Sequence, residues 1–144
     1  MANEVTVTAA DVRPLNTAVI VRAKATEALA FGDAVYVDSA TGDIPNVSKA
    51  DAGSVDINYL VFGIVVATTP DYPGATTVAA GDPCDVVVFG EVTGYSSMTP
   101  GQTIWESDTA GRLSTVAGTK SCVIGYAKSA ATVLVNIGYY TRAS

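Results

Sequence analysis

"GDAVYVDSATG" occupies residues 32–42 and "GQTIWESDTAG" residues 101–111. Each starts on glycine, runs through strand-favouring residues with an aromatic, Tyr36 or Trp105, at the same place, meets an acidic residue and ends on a second glycine. In "DSATGD" and "SDTAGR" an Asp or Ser side chain can bond the amides of a turn while the later Gly takes a positive φ, so both phrases read as a strand entering a tight turn. At an offset of 69, Gly32, Val35, Tyr36 and Gly42 fall on Gly101, Ile104, Trp105 and Gly111. At an offset of 62, "VFGIVVA" (61–67) falls on "VIGYAKS" (123–129), Gly63 on Gly125; at 48, "DVVVFG" (85–90) falls on "VLVNIG" (133–138), Gly90 on Gly138. Strand phrases that recur in one order indicate an internal repeat of a strand–turn–strand unit, with halves at about 31–90 and 100–139.

Working outward, Val, Thr, Ile and Tyr form short runs punctuated by Gly, Pro and Asp, and no window sustains a helical spacing of apolar positions. The chain reads as all-β, with strands at 5–8, 18–23, 34–38, 59–67, 85–89, 103–106, 122–128 and 132–139 and a helical turn over 22–30 as the weak alternative. A module of this kind cannot bury its apolar face alone, so two of them should close one small β-barrel or sandwich with Val35 and Ile104 inward. Tyr36 and Trp105, one residue on, then face the other way, to cap a barrel end or meet a neighbouring subunit. The first half carries a Pro-rich insertion at 67–84 with Tyr72 at its tip, which either makes an intermolecular contact or folds over a barrel end. Residues 1–18 have no counterpart in the repeat and read as an extended N-terminal arm ahead of a single domain, 19–144. The arm alternates apolar and polar residues, as a detached strand that adds to another chain's sheet edge would; expected to make few core contacts, it offers Glu4, Val5, Val7, Asp11 and Arg13 for binding.

With 144 residues the chain can hide roughly 70% of its unfolded surface and needs no metal or disulfide to form a core. Its 14 acidic against 8 basic residues give a net charge of −6, which repels phosphate backbones and anionic lipid and argues against nucleic-acid and membrane partners. The start has neither a basic n-region nor an apolar h-region, the pattern of a protein made in the cytoplasm. Cys84 and Cys122 are too widely spaced for CxxC chemistry and read as reduced, buried residues. There is no histidine, which removes the commonest general base and metal ligand together. "GRLSTVAGTKS" (111–121) lacks the glycine before lysine of a phosphate loop, and Asp38, Asp43 and Asp108 lack the spacing of a calcium loop and read as turn formers. No catalytic, cofactor or metal site is expected. The aromatic residues Tyr36, Tyr72, Trp105, Tyr139 and Tyr140 are candidates for an oligomer interface, with sugar stacking the alternative for Tyr36 and Trp105.

Taken together, "FGDAVYVDSATGDI", "VFGIVVATT", "AAGDPCDVVVFGEV", "MTPGQTIWESDTAGRLST", "CVIGYAKSA" and "VLVNIGYY" resemble the capsid decoration, or cement, proteins of tailed bacteriophages over about residues 19–139. The resemblance implies a β-barrel-like structural protein on the outer capsid surface of the virion. It would sit as a homotrimer at threefold or quasi-threefold points, bound to the major capsid protein and holding the head against internal DNA pressure. The other readings are a head-fibre base or similar virion β module, and a carbohydrate- or ligand-binding β domain.

Overall fold

The computed structural model describes residues 4–15, 17–53, 60–66 and 76–138. Apart from one 3-10 turn, Ala9–Asp11, their regular structure is all strand. Along the chain these are β1 (Thr6–Val7), β2 (Arg13–Pro14), β3 (Val19–Ala25), β4 (Leu29–Ala30), β5 (Ala34–Thr41), β6 (Ile44–Lys49), β7 (Gly63–Val66), β8 (Thr77–Val78), β9 (Pro83–Thr93), β10 (Tyr95–Ser96), β11 (Thr103–Glu106), β12 (Leu113–Ser114), β13 (Val123–Ala127) and β14 (Thr132–Gly138). The helical turn considered over 22–30 does not form. Alternating burial of Ala23 and Ala25 with exposed Arg22 and Lys24 keeps that stretch extended until it bends at Thr26.

β3, β6, β5, β7 and β9 pair in that order, and β9 pairs back onto β3, so they close a five-stranded barrel. Only β3 and β6 run parallel, with Lys24 opposite Asn46 and Ala25 opposite Val47. Closure removes the open edge of the sheet. Every residue of β7 is buried, matching the unbroken apolar run "GIVV" of a strand covered on both faces. From the far half of β9 the same sheet continues through β14, β13, β11 and β12.

The two modules share a pairing scheme. Tyr36 lies opposite Ser48 and Val37 opposite Val47 in the barrel hairpin; Trp105 lies opposite Ser114 and Glu106 opposite Leu113 in the second. On the other side, Val35 faces Gly63 and Ile104 faces Gly125. Both glycines are required by close approach: a Cβ on Gly63 would strike the Val87 carbonyl, and one on Gly125 the Leu134 carbonyl. Val35 and Ile104 have no exposed surface and belong to one continuous core with Val47, Ile64, Val86, Ile124 and Val135. Gly42 and Gly111 take positive φ, +63° and +79°, in the two hairpin turns.

The N-terminal residues do not stand off this body, and the expectation that they make few core contacts is corrected. Glu4 bridges Ser114, the Val5 amide donates to the Leu113 carbonyl at 2.9 Å, Thr6 and Val7 pair with Ser96 and Tyr95, and Arg13 and Pro14 pair with Thr93 and Val92. Val5 and Val12 are buried members of the core. Val12 packs against the bare backbone of Gly94, where a Cβ would lie 2.6 Å from its Cα. Part of the 67–84 insertion is also accounted for: Val78 is buried and pairs with Leu29, so β8 lies on β4, while residues 67–75, Tyr72 among them, are outside the described residues.

Candidate interaction surface

Strand pairing decides which side chains face outward together. Val19 lies directly opposite Phe89, and a bulge between Val19 and Ile20 leaves both of these neighbours outside instead of alternating. They are half exposed, as is Phe89, and Leu15 joins them because its amide donates to the Glu91 carbonyl. On the other side of β9, Asn136 faces Phe89 and Leu134 faces Glu91; Leu134 in turn faces Tyr126, whose ring is 47% exposed. The outer sheet face therefore carries Leu15, Val19, Ile20, Phe89 and Tyr126 around an ion pair, Lys128 Nζ to Glu91 Oε1 at 2.8 Å. The hydrogen bond from Lys128, opposed by slight desolvation and aided by its charge and by Thr17, holds the Glu91 carboxyl below the usual range. A second pair, Arg22 Nε to Asp85 Oδ1 at 2.9 Å, borders the apolar cluster. An apolar patch rimmed by paired charges has the character of a protein-binding surface.

The residues singled out from sequence are distributed differently. Tyr36 and Trp105 are half-buried at equivalent places in the two hairpins. Glu4 and Val7 are half-buried, Asp11 and Arg13 exposed, and Val5 points into the core. Tyr139 and Tyr140, like Tyr72, lie outside the described residues. Phe89, Tyr126 and the Leu15–Ile20 cluster escaped sequence reasoning; the available signal was the unbroken apolar triplet "VIV" at 19–21, one residue too long for simple alternation.

The acidic turn residues are occupied structurally. Asp38 accepts hydrogen bonds from Ser39 and Ser48; partial burial works against its ionisation, but the hydroxyls of Ser48, Ser39 and Thr26 outweigh it and keep its pKa low. Asp108 accepts from the Thr119 amide at 2.8 Å and its hydroxyl at 2.9 Å. No three His, Cys, Asp or Glu residues among those described are placed to hold a metal ion. Both cysteines are free thiols in buried sites, and burial pushes the Cys84 thiol up to about 11, which keeps it in the unreactive form. A shallow hollow of about 170 Å³, lined by Glu4, Ser107, Asp108, Ser114, Val116 and Gly118 among others, opens beside the second hairpin.

What fold and surface define is an all-β module with an exposed apolar patch rimmed by paired charges. Residues 2–141 match the family model of the XM1 gp53 minor capsid protein, and the chain belongs to that family. It is thus a structural capsid protein of a bacteriophage, associated with the capsid of the virion. No curated protein sequence matches the chain.

Proposed function

We propose that this capsid protein is a decoration, or cement, protein: it is made in the host cytoplasm, binds the outer surface of the head and strengthens it, and has no enzymatic activity. It does so as a homotrimer at threefold or quasi-threefold positions, in contact with the major capsid protein. The observation that carries the reading is the contiguous apolar cluster Leu15, Val19, Ile20 and Phe89 on an acidic chain of a minor capsid family. Covering such a patch between copies removes it from water, and the acidic remainder discourages association elsewhere. The capsid contact uses the outward parts of the N-terminal segment, Glu4, Val7, Asp11 and Arg13, whose opposite charges nearly cancel and so ease approach to another protein.

Cryo-microscopy of mature heads tests the position: density of this size at the threefold points is expected, and its absence there rejects the reading. Light scattering tests the assembly. The native protein should have the mass of a trimer, and Phe89→Glu should reduce it to a monomer with an unchanged circular dichroism spectrum. A native monomer both in solution and on heads would reject the trimer.

A further inference from the structure

β11 ends on Glu106, whose side chain has no exposed surface. Neither carboxyl oxygen has a hydrogen-bond partner among the described residues. A buried polar group in this state is rare, and an ionised one is strongly disfavoured without a partner. Its surroundings worsen the case for a charge: Asp33 in the turn before β5, Asp51 beyond β6 and Asp108 just past β11 all bear on it. Those carboxylates are engaged elsewhere, Asp33 with the Ala30 amide, Asp51 with the Gly53 amide and Asp108 with Thr119. Of the cations, Lys49 and Arg112 act on Asp33, and Arg112 also approaches Glu4 at 3.8 Å. From β13 comes Cys122, whose carbonyl accepts the Glu106 amide hydrogen at 2.9 Å.

The internal repeat shows that the fold itself does not ask for a carboxyl here. The matching residue of the barrel hairpin is Val37, which lies opposite Val47 as Glu106 lies opposite Leu113. Moreover, Glu106 is linked by pairing to the N-terminal segment. β12 has only two residues and is held between β11 on one side and Glu4 and Val5 on the other. A hollow lined by Glu4, Ser107, Asp108 and Ser114 opens to solvent at the same end of the hairpin.

We propose that Glu106 is a proton-operated latch: protonated, it lets the second hairpin close; ionised, it loosens β11 from β12 and releases residues 4–7 from the edge they cover. Burial first, then the charges of Asp51, Asp33 and Asp108, push its carboxyl well above the usual range. The folded protein thus keeps the proton over a span in which the unfolded chain, titrating near about 4.3, has lost it. The stabilisation is complete below that value and is lost as pH rises toward the folded-state pKa. Each unit of elevation is worth about tenfold in the folding equilibrium.

Three measurements test this on the full chain. In ¹³C NMR the Glu106 carboxyl should remain protonated at about pH 6, where an ordinary glutamate is ionised; an ionised resonance there overturns the proposal. The thermal midpoint should fall as pH rises above the ordinary glutamate range, and Glu106→Gln or Glu106→Val, the latter borrowing the barrel's own residue, should flatten that fall. If both variants keep the parent's slope, the latch is rejected. Hydrogen exchange at about pH 8 should show the Val5 and Ser107 amides, bonded to Leu113 and Arg112, about tenfold or more better protected in Glu106→Gln than in the parent, with the barrel amide of Val65 unchanged. Equal protection at Val5 would mean that Glu106 does not control the N-terminal segment.

Discussion

In the barrel β5 lies between β6 and β7, as β11 lies between β12 and β13 in the second module. A seven-residue strand, β3, locks the first ring on both sides, whereas the edge of the second module is covered by Glu4 and Val5 against a two-residue β12. The barrel places Val37 beside its hairpin partner, while the second module places a buried, unpartnered Glu106. The same pairing scheme is thus closed once by extensive burial and once by a few contacts around a disfavoured polar group. Local stability follows contact and burial more than topology, so the second module should open first.

The largest effect expected is from removing the cover. Deleting residues 2–12 takes Val5 and Val12 out of the core, a loss of roughly 3–6 kcal/mol at about 1.5–3 for each buried aliphatic side chain, and denaturant melting should show it. A melting midpoint equal to the parent's would mean that these residues are dispensable and that the second module closes without them. Next comes Ile104→Ala, at about 2–5 kcal/mol from lost contact and the cavity left behind, against about 2 for the smaller Val35→Ala. Hydrogen exchange sharpens this test: Ile104→Ala should weaken protection in β11–β14 while leaving β5 and β7 largely closed, and uniform weakening would show that the modules open as one.

Placing the odd residue of one module into the other gives a smaller effect. Val37→Glu should cost about 1–3 kcal/mol, since Val37 is only half-buried and its carboxyl could reach water, and melting at low and neutral pH would measure it. A cost well above about 3 kcal/mol would mean that the two hairpins are more alike in burial than their exposure indicates. Smallest of all, Arg22→Ala removes an ion pair whose arginine is 58% exposed and should change stability by about 0–1 kcal/mol, mostly at low salt. A larger loss would place that pair in the barrel's closure instead of on its surface.

The all-β character and the paired turns were legible because the signal is local: strand-formers between turn residues, and a glycine that must take positive φ at 42 and 111. Gly63 and Gly125 could be matched in sequence, but their reason, a neighbouring carbonyl pressed against the backbone, is a property of packing. β6 was missed because Pro45 and Asn46 interrupt its apolar pattern, and β12 because two residues carry no period. β9 runs on past Gly90 to Thr93, since the missing side chain there admits the backbone of Ala18 instead of ending the strand. The candidate surface was less legible. Tyr36 and Trp105 drew attention by type, yet exposure of Val19, Ile20 and Phe89 depends on a bulge and on a cross-strand partner far away in sequence. The role of Val5 and Val12 is hidden for the same reason: an alternating segment looks alike whether its partner is another chain or its own.

The bridge from Glu4 to Ser114 joins two segments far apart in sequence. During synthesis the barrel strands, complete by Thr93, emerge from the ribosome before β11 and β12 do. Glu4 and Val5 must therefore wait uncovered until Leu113 and Ser114 are out, whereas Val12 can already pack against Gly94 beside β9. Contacts so distant in sequence form late, and an exposed, extended segment is open to pairing with a neighbouring nascent chain in the interval. Speed of translation through residues 94–114 thereby bears on the yield of correctly closed protein, with slow passage lengthening the period in which the first residues have no edge of their own to cover.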